Sequence, residues 1–344
     1  MKLKQWLAEN YRYLLLLAAL AAVLVFLFFP ARASYIINYD SSYQYFLTQQ
    51  SLGDIWALLP ADYSPPLYAL LLKLFCMLFG HTLYVMRVFN LLPVVGMLAL
   101  ALFPVRRIFS PRAGVLCALF SLLSSCMLHY LPEVRPTVPA MFIMMAVTVY
   151  ACDLYISRSR RAFITFTAVS VIALYTHNIA MLGTFGVYCA LLADPLLRKQ
   201  FPFFKRVLAS GVVTAVVYVP WLVVLLAQTG NVRKNFWVGS SSLLDVAQWV
   251  FVSPVMDFTV FVFPVLAAVI IAAGAAVYLI GRRSRKRAGR LPERTERDKE
   301  QISLIKLMAL MVAFSVVVYI LFNFYIKNVN TRRYCFIIGM EWIV

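Results

Sequence analysis

Acidic residues are scarce in this chain, 14 against 32 basic ones in 344 residues. Several of them stand close to arginine or tyrosine in the short polar stretches that separate long apolar runs. These stretches are Asn38-Tyr39-Asp40-Ser41-Ser42-Tyr43, with Asp54 further on; Asp62-Tyr63-Ser64-Pro65-Pro66-Leu67-Tyr68; and Glu133-Val134-Arg135-Pro136. Two more lack an acid: Tyr175-Thr176-His177 and Arg332-Arg333-Tyr334. A carboxylate can take a proton from a hydroxyl as that hydroxyl attacks, and a guanidinium can hold an anionic oxygen pair in a bidentate fork. Each residue also has a plainer role. Asp40 could be a solvated loop acid, Glu133 and Arg135 could pair with each other to fix a turn, and His177 could be a satisfied structural histidine at a membrane boundary. Arg87, Arg332 and Arg333 could be helix-end cations at the interface.

The elements that must position these residues follow from composition. Hydrophobic residues make up 63% and charged ones 13% of the chain, with a mean hydropathy of +0.82. That leaves too little polar surface for a water-soluble protein, so lipid is part of the solvent. A net charge of +18 would suggest nucleic acid in a soluble chain, but the basic residues form short clusters between apolar runs, which is a membrane-topology signature and excludes that partner. The six cysteines (Cys76, Cys117, Cys126, Cys152, Cys189 and Cys335) lie in or beside apolar runs without zinc-site spacing and read as small apolar fillers.

A span of the hydrocarbon core needs roughly 20 mainly apolar residues. The qualifying runs are Tyr13 to Pro30, Leu83 to Val105, Ala113 to Tyr130, Val138 to Ile156, Ala162 to Tyr175, Ile179 to Leu192, Val207 to Gln228, Thr259 to Ile280 and Ile302 to Ile326. The first follows a basic start but is longer than a signal-peptide core and lacks a small-residue cleavage site, so it reads as a retained anchor. The sequence therefore predicts an all-α polytopic membrane protein of about nine spans. Tyr334 to Val344 adds a partial tenth, about 16 Å of helix and too short to cross, so the sequence reads as stopping inside a helix of a single transmembrane domain over residues 1 to 344.

With the N-terminus inside and each run crossing once, most basic residues fall on one side, as the positive-inside rule requires. Residues 31 to 82 then form a long first extracytoplasmic loop with juxtamembrane helices, and residues 281 to 300 a cytoplasmic basic linker near anionic headgroups. Pro65-Pro66 opens a short apolar helix carrying Lys73, which suits an interfacial position better than a span. Asp40, about ten residues beyond the first span, can stand just outside the bilayer.

In order along the chain come Asp40, Pro65 to Tyr68, Arg87, Arg106-Arg107, Glu133 to Pro136, Tyr175 to His177, and Arg333-Tyr334. This series resembles the GT-C superfamily of membrane glycosyltransferases, in the branch of the protein O-mannosyltransferases and the lipid A aminoarabinose transferase. The resemblance implies a GT-C-like fold and a bacterial plasma-membrane enzyme whose site faces the extracytoplasmic side. It further implies transfer, with inversion, of a hexosyl or pentosyl group from a polyprenyl-phosphate carrier to a glycan, lipid or protein. Asp40 would be the catalytic base, Arg135, Arg332 and Arg333 would bind the carrier phosphate, and Asp62, Tyr63, Glu133 and His177 would be further substrate-site candidates. Ser41 stands where many relatives carry a second acid, and Ser64 where many carry His or Lys before the prolines. The first departure leaves no pair of adjacent acids to bridge a metal, so no cofactor is assigned and a divalent metal stays unsupported.

Two rivals share the carrier. A lipid-linked glycan flippase or transporter would move the anionic lipid without reacting it, but the chain shows no internal repeat and no matched broken helices with midmembrane charges. A glycan polymerase or ligase usually carries its main catalytic loop later in the chain than the long first loop here.

Overall fold

The structure, a computed structural model, describes residues 2–32, 39–61, 64–235, 295–325 and 332–344, with the single positions 242, 245, 246 and 250. Regular structure among them is helical. A long helix, α1 (Lys2–Arg32), leads into the first-loop helices α2 (Tyr39–Gln49), α3 (Leu52–Leu58) and α4 (Leu67–Phe79). Next come α5 (Leu83–Phe89), α6 (Leu91–Leu100) and α7 (Arg106–Ile108), segments of one bent span joined by a wider turn at Ala101–Val105. Pro104 lies in that turn, where its missing N–H disrupts the regular ladder. The bundle continues through α8 (Pro111–Leu123), α9 (Ser125–Tyr130), α10 (Thr137–Ser157), α11 (Arg160–Thr176), α12 (Asn178–Leu197) and α13 (Phe201–Asn235). It ends with α14 (Glu296–Tyr325) and α15 (Arg332–Ile343).

Six helices among the described residues are long and apolar enough to cross a membrane: Leu3–Phe28, Leu83–Ile108, Thr137–Ser157, Asn178–Leu197, Phe201–Gln228 and Glu296–Asn323. The chain is an integral membrane protein. The expected run from Ala113 to Tyr130 is instead two helices, because Ser124 takes extended backbone (φ −57°, ψ 125°) between α8 and α9; adjacent serines favour such breaks by offering local hydrogen bonds. The run from Ala162 to Tyr175 is a single 17-residue helix, α11, and Thr259 to Ile280 lies outside the described residues. Of the basic linker, residues 296–300 already belong to α14, and residues 281–294 lie outside the description.

Small residues set the core packing, as they do where helices approach closely in lipid. α12 crosses α14 so tightly that a Cβ on Gly186 would meet the Cα and N of Ser315 at 2.5 Å. Ser315 Oγ donates to Gly183 O at 3.1 Å, which satisfies a hydroxyl that is fully buried. Among the described residues the free cysteines Cys76, Cys117, Cys152, Cys189 and Cys335 sit in the packing, all but Cys189 buried.

Two groups of polar connections lie at the ends of the bundle. At one end Arg106 donates to Asn10, Arg107 pairs with Asp153 at 2.9 Å, Arg198 with Asp194 at 2.8 Å, and Gln301 donates to Ile108 O at 2.9 Å. The arginines among these groups belong to loops expected on the inside. The other end carries the first-loop helices. Leu47, Ile55 and Leu59 bury against Leu174, Tyr218 and Trp221 of α11 and α13, and Gln228 donates to Pro60 O at 2.7 Å. α4 is 13 residues long, about 20 Å of helix and too short to span. It stops at Gly80 with φ 101°, a left-handed conformation suited to glycine. Lys73 donates to Thr48 O at 2.8 Å, so this cation is spent on holding α4 to α2.

Candidate functional site

The turn between α9 and α10 carries Glu133 and Arg135 and is held by three side chains from other parts of the chain. Arg87 Nε of α5 donates to Pro132 O at 3.1 Å. Asn90 Nδ2, at the bend between α5 and α6, donates to Glu133 O. From α2, Ser41 Oγ accepts from the Val134 N–H at 3.1 Å. Three consecutive residues thus have a backbone group bonded to a side chain. The turn closes on itself through Glu133 N–H to Tyr130 O at 3.1 Å and Arg135 N–H to Glu133 O at 2.9 Å. Val134 is fully buried among Tyr68, Leu72, Cys76 and Met86, which pins the apolar side of the turn to α4 and α5.

The consequence is a pairing across distant chain segments: the guanidinium of Arg135 forms an ion pair with the carboxylate of Asp40 in the first turn of α2. The Arg135 side chain is 14% exposed and that of Asp40 33%, so the acid keeps a face open to water while the cation is mostly enclosed. Tyr68 lies behind them. Burial pushes its phenol well above the ordinary tyrosine value, with the Arg135 charge opposing the rise, so it remains a neutral donor, and its hydroxyl points to Asn90 Oδ1 at 3.4 Å. An acid and a cation with a shared partly open face can together take a proton and hold an anionic leaving group.

The other expected site residues divide. Glu133 is half-buried in the same turn. His177 caps α12, its Nδ1 accepting from the Ile179 N–H at 3.0 Å, and its ring meets that of Tyr334 at 5.4 Å; this is a structural engagement that brings the start of α15 beside α12. Arg332 and Arg333 open α15, but their side chains lie outside the described residues, as do Asp62 and Tyr63. Asp54 is occupied with Ser51, which bonds it at 2.7 Å and accepts from its N–H at 3.2 Å, a cap for α3. Among the described residues no three His, Cys, Asp or Glu side chains gather closely enough to hold a metal ion.

Sequence reasoning missed the roles of Ser41, Tyr68 and Asn90. The available signal was Asn90 itself, a polar side chain inside an apolar span, which by default requires a partner. It also missed Glu341, fully buried in α15 with its carboxyl against Gly183.

Comparison with known proteins adds two observations. A family model described as dolichyl-phosphate-mannose-protein mannosyltransferase matches residues 63–224, a stretch that contains Arg135 and His177 but starts after Asp40. The chain also resembles, over 97% of its length, the crystal structure of ArnT from Cupriavidus metallidurans in the apo state, with a TM-score of 0.64 at 14% identity. The chain has the fold of ArnT. A second ArnT structure from Cupriavidus metallidurans, bound to undecaprenyl phosphate, matches over 96% of the chain with a TM-score of 0.58 at 15% identity. The chain spans 59% and 58% of the length of those two structures. Among curated protein sequences there is no significant match.

Proposed function

We propose that this protein transfers a sugar from a polyprenyl-phosphate carrier to an acceptor hydroxyl on the extracytoplasmic side of the membrane, with inversion at the anomeric carbon. The observation that carries the reading is the Asp40–Arg135 pair, held by first-loop and α5 side chains at one end of a GT-C fold. The acceptor oxygen attacks the anomeric carbon as the bond from that carbon to the phosphate oxygen breaks. The hydroxyl proton passes to Asp40, and the bonding electrons leave with the phosphate, whose charge Arg135 stabilises. The products are the glycosylated acceptor and the free polyprenyl phosphate.

The resting pair fits this chemistry. A carrier phosphate offers Arg135 a stronger anion than one carboxylate, so its arrival would draw the guanidinium away from Asp40 and leave the acid ready to accept a proton. Arg332 and Arg333 are proposed as further phosphate ligands, with Asp62, Tyr63, Glu133 and His177 as substrate-site residues. The undecaprenyl phosphate bound to ArnT supports a carrier of that class here.

The test follows a radiolabelled sugar from envelope lipid carriers to lipid, glycan and protein acceptors by purified full-length protein in liposomes. Transfer with release of polyprenyl phosphate is expected. Movement of the intact carrier across the bilayer without sugar transfer would overturn the enzyme and favour a flippase.

A further inference from the structure

We propose that Asn90 is a positioning residue for the carrier phosphate, setting the place of Arg135 through the backbone of the turn that bears it. This rests on the reading of Arg135 as the phosphate ligand.

The argument starts from what Asn90 costs. Its side chain is fully buried at the bend between α5 and α6, in a largely apolar span, and a carboxamide in such surroundings is destabilising unless both of its ends are bonded. Both ends are. Nδ2 donates to Glu133 O, and Oδ1 faces the Tyr68 hydroxyl at 3.4 Å. Tyr68 is also almost fully buried, 3% exposed, and can donate in only one direction. Glu133 O can only accept, so the N–H₂ must point at the turn, and Oδ1 is then the end that receives the Tyr68 hydroxyl.

Glu133 O is a pivotal atom. It accepts the Asn90 amide and also the Arg135 N–H, at 2.9 Å. The carbonyl that fixes the backbone of Arg135 is therefore fixed in turn by Asn90. Ser41, adjacent to Asp40, holds the next residue of the same turn through Val134 N–H. Asp40 and Arg135 are thus located by a common strip of backbone, with Asn90 gripping one side and Ser41 the other. Asn90 touches neither member of the pair in this arrangement and acts through the turn. Without its amide, Glu133 O would be freed to rotate, and the guanidinium would lose a fixed starting point. A shift of about 1 Å in such a group is enough to cost a large part of its effect on a bound anion.

The test uses full-length protein in nanodiscs with undecaprenyl phosphate as the probe, and reads the dissociation constant per folded molecule. Asn90→Asp keeps the shape and the acceptor for Tyr68 but removes the donor to Glu133 O; Asn90→Ala removes both. Each is expected to weaken binding about tenfold, and Tyr68→Phe by a smaller factor. In the Arg135→Ala background the Asn90 substitutions should add less than about twofold, because residues acting through one group are not additive. General loosening of the fold would lower the folded fraction without changing affinity per folded molecule, and would act alike in both backgrounds. If Arg135→Ala weakens binding but both Asn90 variants bind as the wild type does, or if the Asn90 effect persists undiminished without Arg135, the positioning role is wrong. If Arg135→Ala itself binds normally, the phosphate-ligand reading fails first and takes this inference with it.

Discussion

The guanidinium of Arg135, on the turn between α9 and α10, is paired with the carboxylate of Asp40 in the first turn of α2. Substituting Asn for Asp40 keeps the size and hydrogen-bonding capacity of the side chain but removes its basicity. Asn at 40 can still accept a hydrogen bond, but the mostly enclosed guanidinium loses its counter-charge, so stability should fall by about 1–3 kcal/mol. Sugar transfer by Asp40→Asn should fall about a hundredfold or more, with carrier binding largely retained. Single-turnover transfer with saturating carrier checks this, and an undiminished rate would remove Asp40 from the mechanism.

Arg135→Ala should act on both binding and bond cleavage, since the phosphate needs the cation before and during departure. Carrier affinity and turnover should both drop, each by about tenfold or more. Arg135→Lys restores a charge but not the fork, so it should recover affinity better than rate. Titration with undecaprenyl phosphate alongside transfer kinetics separates the two effects. Equal recovery of both would show that charge alone matters.

The spans were legible because lipid demands long apolar runs, and the runs at Leu83, Val138 and Ile179 match helices closely. The break at Ser124 was hidden, because two serines in an apolar stretch do not announce which will leave the helix. Asp40 and Arg135 could each be picked out singly, as an acid and a cation in polar stretches between spans. Their pairing could not, because it depends on Ser41, Arg87 and Asn90 gripping backbone atoms, and backbone partners leave no charge pattern to read. Glu133 and Arg135 stood closest in sequence and invited a local pair, yet Arg135 reaches across to α2. The bond from Lys73 to Thr48 O was equally hidden, since its acceptor is again a backbone atom.

Gly186 and Gly211 should respond oppositely to the same added methyl. At Gly186 the methyl would collide with backbone atoms of Ser315 at 2.5 Å, whereas at Gly211 it would only touch the Tyr188 ring at 3.6 Å. Backbone cannot rotate away as a side chain can, so Gly186→Ala should force α12 and α14 apart at a cost of about 1–3 kcal/mol. Gly211→Ala should be neutral or slightly stabilising, by up to about 1 kcal/mol, because alanine has less backbone entropy to lose on entering a helix than glycine. Thermal unfolding in detergent, followed by loss of the monodisperse peak, compares them. A Gly186→Ala protein as stable as the wild type would mean that the close crossing of α12 and α14 is not as described.

Orientation can be tested independently of chemistry. The basic clusters around Arg106, Arg160, Arg198 and Arg282 fall on the opposite side of the membrane from Asp40 if the N-terminus is inside, and the positive-inside bias then puts Asp40 on the extracytoplasmic face. Arg107, Asp153, Arg198 and Gln301 do share one end of the bundle through their contacts, and Ser41 and the 131–136 turn meet in a separate group. In a background with the native thiols removed, a cysteine replacing Ser42 should react with a membrane-impermeant maleimide in intact cells. One replacing Ser284, in the basic stretch before α14, should react only after the membrane is opened. Ser42 neighbours the proposed base, so labelling there should also block sugar transfer, while labelling at Ser284 should leave it unchanged. Reaction at Ser284 but not at Ser42 in intact cells would invert the orientation and move the proposed site to the cytoplasmic face.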